Sequence, residues 1–218
     1  MFIKLASPQG LLFVITHINR HVSSCSMVQE FPIGISNRHV HLSPEHIELL
    51  FGKGYVLKVK KHIRQPGQFA TEETVTLLGK NPLEARIVGP PRKESQIEIL
   101  KADQEVLGMQ APERVSGTLE GTPGIVLQGP KGKITLPYGV IIAAKHLHLS
   151  EKEAKEHGFT DVAAVDLQTT KGITFKKVAV RSGNMHLSEF HLDKDDAVKH
   201  GVENSQTVKI IKMYKKEL

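Results

Sequence analysis

Two histidine pairs with the same continuation are the first sign of chemistry in this sequence. The segment HVHLS begins at His39 and a near copy, HLHLS, begins at His146, so that His41 corresponds to His148. Alternate side chains of an extended strand share one face, so each pair of imidazoles converges on one point. Neutral imidazoles are natural ligands for zinc and other borderline divalent ions. The two pairs therefore predict a metal site.

A third position repeats the same local pattern. His191 is followed by Leu192 and by Asp193, which can cap a helix as the serine after each histidine pair can. His186 also precedes Leu-Ser, and we favour His191 as the fifth histidine ligand because only His191 precedes a helical pattern. The other histidines are scattered along the chain, and we interpret them as surface or packing residues: His17, His21, His46, His62, His157 and His200.

A carboxylate and an arginine lie between the two histidine pairs, in RIVGPPRKESQIEIL. Glu98 stands between two isoleucines in a strand pattern, so it faces either water or a cavity, where it would be an anionic metal ligand. Arg92 follows a Gly-Pro-Pro turn, and a guanidinium matches the geometry of phosphate. If Glu98 faces a cavity, Arg92 can hold an anion close to a metal.

The elements that must position these residues are mainly short strands separated by Gly and Pro. Helical patterns are few, and each begins with a Ser or Asp suited to cap a helix and ends at a Gly: SPEHIELLFGKG, SEKEAKEHG and DKDDAVKHG. The sequence thus predicts a mostly β fold in which short helices cover the ends of barrels or sandwiches. The repeat suggests two similar domains. We find neither a Gly-rich phosphate loop nor βαβ repeats with long helices.

Composition limits the functional classes. A net charge of +6 favours anionic partners, but the chain has no Trp and few aromatic residues to stack on single-stranded nucleic acid. No apolar run approaches the roughly 18–20 residues of a membrane span. We therefore expect no nucleic-acid or membrane partner. The single cysteine, Cys25, excludes an internal disulfide and a Cys-rich zinc site, and it favours a reducing, cytoplasmic compartment.

The first residues differ in composition from the rest. Residues 1–26 contain no Asp or Glu, include the apolar cluster LLFVI and precede Met27. The cluster is too short for the core of a signal peptide, typically 7–15 residues. We assign residues 1–30 to an accessory or mispredicted N-terminal extension and leave those alternatives open.

Six segments, in this order, resemble the phosphate propanoyltransferases of propanediol utilisation: PIGISNRHVHLS, QPGQFATEETV, VGPPR, QIEIL, GVIIAAKHLHLS and HLDKDDA. These phosphotransacylases are associated with bacterial microcompartments. The resemblance runs from about Pro32 to Val208. It implies two β-barrel domains capped by short α-helices, with a dinuclear zinc site between them. Residues 39–143 would form the first barrel and 144–218 the second, which the strand at 31–38 would complete.

The resemblance also assigns roles to individual residues. Arg92 matches the family's phosphate-binding arginine and is the candidate catalytic residue, and Arg38 is a second candidate for binding substrate. Lys145 stands where we expect an arginine, which puts substrate affinity rather than reaction type in question. The zinc ligands fall into two sets: His39, His41 and His191 for one ion, and Glu98, His146 and His148 for the other.

The implied reaction converts an acyl-CoA, expected to be propanoyl-CoA, and phosphate to acyl phosphate and CoA, reversibly. Direct and ping-pong transfer both stay open. The resemblance further implies a homodimer, with encapsulation in a microcompartment shell as an alternative to free cytoplasmic protein. Two rival functions are a zinc-dependent acyl-CoA hydrolase, which would not need phosphate, and a non-catalytic, zinc-stabilised β protein that binds nucleic acid.

Overall fold

The structure is a computed structural model, and it describes residues 29–204 and 206–216. The interpretations of residues 1–28, including Cys25, lie outside the described residues. The strands are β1 (Glu30–Ser36), β2 (His39–His41), β3 (Val59–His62), β4 (Phe69–Leu78), β5 (Leu83–Gly89), β6 (Gln96–Ile99), β7 (Glu113–Arg114), β8 (Ile125–Gln128), β9 (Lys133–Leu136), β10 (Val140–Ala143), β11 (His146–Ser150), β12 (Val162–Thr169), β13 (Thr174–Gly183), β14 (Glu189–Asp193) and β15 (Thr207–Lys215). The helices are α1 (Pro44–Phe51), α2 (Asp103–Leu107), α3 (Glu151–Glu156) and α4 (Lys194–His200).

The strands after β10 form a closed barrel together with β1. The order around the barrel is β1-β14-β11-β13-β12-β15. β1 lies parallel to β14 and antiparallel to β15. Phe31, Leu147 and Phe190 are fully buried in the apolar interior. A strand from the beginning of the described chain therefore closes a barrel whose other strands come from its second half.

The remaining strands form a nine-stranded sheet in the order β7-β10-β6-β2-β5-β4-β8-β9, with β3 paired to β4 outside this path. Its core contains the fully buried Val40, Leu77 and Ile97. In the described part of the chain, this sheet does not close on itself as the barrel does. The mostly β fold class with short helices is confirmed.

The three helices expected from the sequence are present, and their caps explain their starts. Ser43 accepts a hydrogen bond from the backbone of His46, and Ser150 and Glu153 form a reciprocal capping box. Asp193 caps α4. α2 was not expected, because its N-cap residue is an alanine without a side-chain cap and the helix is only five residues long. No helix within the described ranges is long and apolar enough to cross a bilayer.

The barrel and the sheet share one local arrangement around the histidine strands. β2 lies between the parallel β5 and the antiparallel β6, and β11 lies between the parallel β13 and the antiparallel β14. The antiparallel neighbour is followed in each case by a short helix that ends at a left-handed glycine, Gly108 after α2 and Gly201 after α4. The duplication thus extends beyond the histidine pairs to the elements that hold them.

Candidate metal and substrate site

A cavity of about 690 Å³ is lined by residues of both the sheet and the barrel. Gly34 of β1 lies at its wall, where an added Cβ would come within 2.8 Å of Glu189 Oε1 and 2.9 Å of His191 Cδ2. A side chain at this position would therefore displace groups of the cavity. The residues expected to bind metal or phosphate that line it are His39, His41, Arg92, Glu98, His146, His148 and His191.

The first group of donors comes from the sheet. β2 and β6 are antiparallel with His39 opposite Glu98. Glu98 Oε2 lies 3.4 Å from His39 Nε2, and Glu98 Oε1 lies 3.8 Å from His41 Nε2. The Nδ1 atoms face backbone carbonyls at 2.9 Å, Asn37 O for His39 and Val88 O for His41. Since an Nδ1–H that donates to a carbonyl leaves Nε2 as the lone-pair nitrogen, both imidazoles direct a ligand atom towards the carboxylate.

The second group comes from the barrel. β11 and β14 are antiparallel with His146 opposite His191. The Nε2 atoms of His146 and His148 are 3.0 Å apart, and His146 Nδ1 faces Ala144 O at 2.8 Å. In this group, as in the first, the three ligand atoms lie within 4.8 Å of one another. The register makes His191 the barrel counterpart of Glu98.

This grouping differs from the ligand sets that the resemblance implies. In the structure Glu98 lies with His39 and His41, and His191 lies with His146 and His148. The resemblance exchanges Glu98 and His191 between the two sets. All six residues line one cavity. The structural grouping and the grouping implied by the resemblance therefore contain the same six ligands, and they differ only in the ion to which Glu98 and His191 are assigned.

The electrostatics of the cavity suit cation binding. Burial, reinforced by the nearby His39, lowers the pKa of His41 to about 3. Burial and His191 lower the pKa of His146 to about 4. Burial raises the pKa of Glu98, but His39, His41 and other neighbouring cationic groups lower it by more, so the carboxyl is ionised. Neutral imidazoles beside an ionised carboxylate are the protonation states that metal ligands require.

Arg92 is held at the cavity by its backbone. Its N–H donates to Leu42 O at 2.9 Å, and its Nη1 donates to Ser116 Oγ at 3.2 Å. Burial lowers the pKa of the Arg92 guanidinium, while the neighbouring Glu98 acts in the opposite direction. The Gly-Pro-Pro turn thus brings a partly desolvated cation beside the first donor group.

The structure does not bring Arg38 to the cavity. Its Nε and Nη2 donate to the two carboxylate oxygens of Asp103 at 2.8 and 2.6 Å. Lys145, at the equivalent position before the second histidine pair, donates to Asp196 at 2.6 Å. Each basic residue therefore ties a histidine strand to the short helix after the facing strand. A bidentate contact to a buried carboxylate occupies the Arg38 guanidinium, and Lys145 makes the same connection with a single bond.

Sequence reasoning missed several cavity residues. His186, which we ranked below His191, also lines the cavity, with its ring centroid 4.4 Å from that of His148. Glu189 Oε2 lies 2.5 Å from His191 Nε2 and accepts a hydrogen bond from Gln65 Nε2 at 2.9 Å. The Leu-Ser after His186 was a usable signal. Glu189 and Gln65 had none, because their contact joins segments far apart in sequence.

The fold and the site define a class of protein in which a β-barrel and a β-sheet each contribute a histidine pair and one facing donor to a common cavity. Sequence comparison specifies the family. The profile of the phosphate propanoyltransferase family matches residues 32–203. The chain therefore belongs to this family and is an acyltransferase of the phosphotransacylase type.

Three individual relatives are similar in sequence to this chain over most of their length. A phosphate propanoyltransferase of Thermotoga maritima is 47% identical over 170 residues, which are 76% of this chain and 81% of the relative. That of Salmonella typhimurium is 45% identical over 181 residues, 79% of this chain and 84% of the relative. That of Shewanella putrefaciens is 39% identical over 203 residues, 89% and 94% of the two chains.

Proposed function

We propose that this chain transfers an acyl group reversibly between CoA and phosphate, with propanoyl-CoA as the acyl donor and two zinc ions as cofactors. The observation that carries the proposal is the convergence of two three-residue donor groups and Arg92 on one cavity in a member of this family. The substrates are then acyl-CoA, phosphate, acyl phosphate and CoA.

The residues fit the proposed ions. His148 Nδ1 is buried without a hydrogen-bond partner among the described residues, and the Nε2 atoms of His146 and His148 face each other at 3.0 Å. Two converging nitrogens are compatible with a shared proton or a shared cation, and histidine and carboxylate donors are typical zinc ligands. The candidate ligands are His39, His41, Glu98, His146, His148 and His191. Zinc supplies a Lewis acid for the thioester carbonyl and affinity for sulfur.

The chain's own residues provide the positioning. Arg92, fixed to Leu42 O through its backbone, offers its guanidinium to phosphate in a partly desolvated setting, where a charge-assisted contact is stronger than in water. Holding phosphate beside the thioester makes the attack effectively intramolecular. Glu98 remains ionised and offsets part of the positive charge in the cavity. No protein nucleophile is required.

The cellular setting is a further part of the proposal. The resemblance to enzymes of propanediol utilisation supports a cytoplasmic homodimer that is either free or enclosed in a microcompartment shell. The composition supports neither nucleic acid nor membrane as a partner.

The decisive experiment measures thiol release from propanoyl-CoA by the zinc-loaded protein with and without phosphate. We expect release only when phosphate is present, with acyl phosphate formed in equal amount. The Arg92→Ala variant should lose most of this rate, whereas Arg114→Ala, a change at an exposed arginine, should not. Equal release without phosphate would identify a hydrolase. No release in either case would favour a binding or structural zinc protein.

A further inference from the structure

We infer that Arg181 is a second phosphate-binding residue, and that it holds inorganic phosphate together with Arg92 from the opposite side of the cavity. The inference rests on the proposed function and adds a residue to which neither the sequence motifs nor the resemblance gave a role.

Arg181 reaches the cavity from the barrel. It lies on β13, directly opposite His148 in the parallel pairing with β11, and it lines the same cavity as Arg92. Arg92 lies in the loop between β5 and β6, which are both strands of the sheet. The two guanidiniums therefore come from the two halves of the molecule.

The Arg181 side chain lacks the partners that other partly buried cations have. Arg38 is paired with Asp103 and Lys145 with Asp196. Within residues 29–204 and 206–216, the Arg181 guanidinium makes no hydrogen bond or ion pair. Among these residues, the one side-chain nitrogen or oxygen that is both fully enclosed and without a partner is His148 Nδ1, so the unpartnered guanidinium nitrogens of Arg181 are not fully enclosed. The nitrogens of Arg181 are therefore accessible to a ligand in the cavity.

The charges around Arg181 favour an anion. Burial lowers the pKa of Arg181, while Glu98 acts in the opposite direction. The charge of Arg181 in turn lowers the pKa of Arg92, so the two cations destabilise one another. An anion between them would relieve this repulsion, and phosphate has enough oxygens for two guanidiniums.

A purely structural role for Arg181 does not follow from the duplicated architecture. In the sheet, β5 pairs with β2 as β13 pairs with β11, with Ile87 beside Val40 where Val180 is beside Leu147. The next residue is Val88 in β5 and Arg181 in β13. The equivalent pair of strands in the sheet thus forms with a valine at the position of Arg181. An arginine is therefore not needed for this strand pairing, and the Arg181 side chain is available to bind a ligand.

The test measures the Kd of inorganic phosphate by isothermal titration calorimetry of the full-length, zinc-loaded protein. We expect Arg181→Ala to raise this Kd by about 10- to 100-fold, the loss of a hydrogen-bonded charged contact. Arg181→Lys should give a smaller increase, because it keeps the charge and loses the planar fork. Arg114→Ala is the matched control. If Arg181→Ala fails to fold, Arg181→Met and Arg181→Lys provide the comparison.

A second arm separates inorganic phosphate from the phosphate groups of CoA. We expect the Kd of CoA to change by less than the Kd of phosphate in Arg181→Ala. An unchanged phosphate Kd, or a change confined to CoA, would overturn the inference. Failure of the proposed reaction is distinguishable, since phosphate binding is measured without acyl-CoA: a wild-type protein that binds phosphate through Arg181 but releases no thiol would refute only the reaction.

Discussion

The side chain of Gln65 is bonded to Glu189 across the boundary between the sheet and the barrel. Gln65 Nε2 donates to Glu189 Oε2 at 2.9 Å and to Leu187 O at 3.0 Å, and Gln65 Oε1 accepts from the Leu187 N–H at 3.2 Å. The same Glu189 oxygen lies 2.5 Å from His191 Nε2. One buried amide in the loop between β3 and β4 therefore fixes the carboxylate that contacts a candidate ligand of the barrel.

This contact predicts a loss of stability in Gln65→Ala. The substitution removes both hydrogen bonds to the Leu187 backbone and one hydrogen-bond donor to the buried Glu189 carboxylate, which should lower the free energy of unfolding by about 1–3 kcal/mol. Zinc affinity should also fall by about 10-fold, since the carboxylate behind His191 loses its support. Urea unfolding and competition with a chelator measure the two effects. The exposed Gln110→Ala is the control; equal behaviour of the two variants would contradict the prediction.

The two possible ligand partitions predict different zinc contents for one double variant. If Glu98 serves the same ion as His41, as their proximity favours, His41→Ala/Glu98→Ala loses one zinc per chain and keeps the other. If Glu98 serves the ion of His146 and His148, the double variant weakens both sites. Zinc content after gel filtration, measured by mass spectrometry, distinguishes these outcomes. His41→Ala/His148→Ala should weaken both sites under either partition and provides the reference.

Replacing Arg38 by lysine should affect stability more than substrate binding. Lys145 shows that an ammonium can join the equivalent strand and helix, so Arg38→Lys keeps one contact to Asp103 and loses the second. We expect a decrease in the free energy of unfolding of about 1–2 kcal/mol. The KM for phosphate should stay within twofold of the wild-type value. A large rise in this KM, comparable to that of Arg92→Lys, would show that Arg38 binds substrate.

Glu73 predicts a pH dependence of stability that is independent of the cavity. Burial raises its pKa, but backbone N–H groups, that of Lys58 among them, and the hydroxyl of Tyr55 together lower it below the ordinary 4.5. A lowered folded-state pKa stabilises the fold above the unfolded value and loses this effect as pH falls through the folded value. Glu73→Gln should therefore destabilise the protein at pH 7, with a deficit that shrinks below pH 4.5.

Urea unfolding of wild type and Glu73→Gln at several pH values measures this deficit. The comparison at each pH removes any acid effect that the two proteins share. Glu84→Gln, an exposed change on the neighbouring strand, should follow the wild type throughout. A deficit that is constant with pH would mean that the charge of Glu73 contributes nothing.

Local signals allowed several elements to be predicted and left others hidden. Ser43, Ser150 and Asp193 marked three helix starts because capping depends on residues within one turn. The short α2 lacks such a cap, and its preceding residues are held by the carboxylate of Asp103, which accepts from Leu100 N at 2.9 Å. For Glu98, the alternation of apolar and polar residues was equally consistent with a side chain facing water and one facing a cavity. Only the pairing of β6 with β2 showed that the side chain faces the cavity.

The sequence by itself determined the mostly β class, the histidine pairs as candidate ligands and the family, because strand alternation, caps and motif order are properties of neighbouring residues. Only the tertiary structure decided that Glu98 and His191 hold equivalent positions opposite the first histidine of each pair. It also decided that the Arg38 side chain is bonded to Asp103. Finally, it decided that Arg181 and Gln65 reach the cavity. These relationships depend on strand register and on contacts between distant segments. They form only when the chain has folded and buried polar groups must find partners.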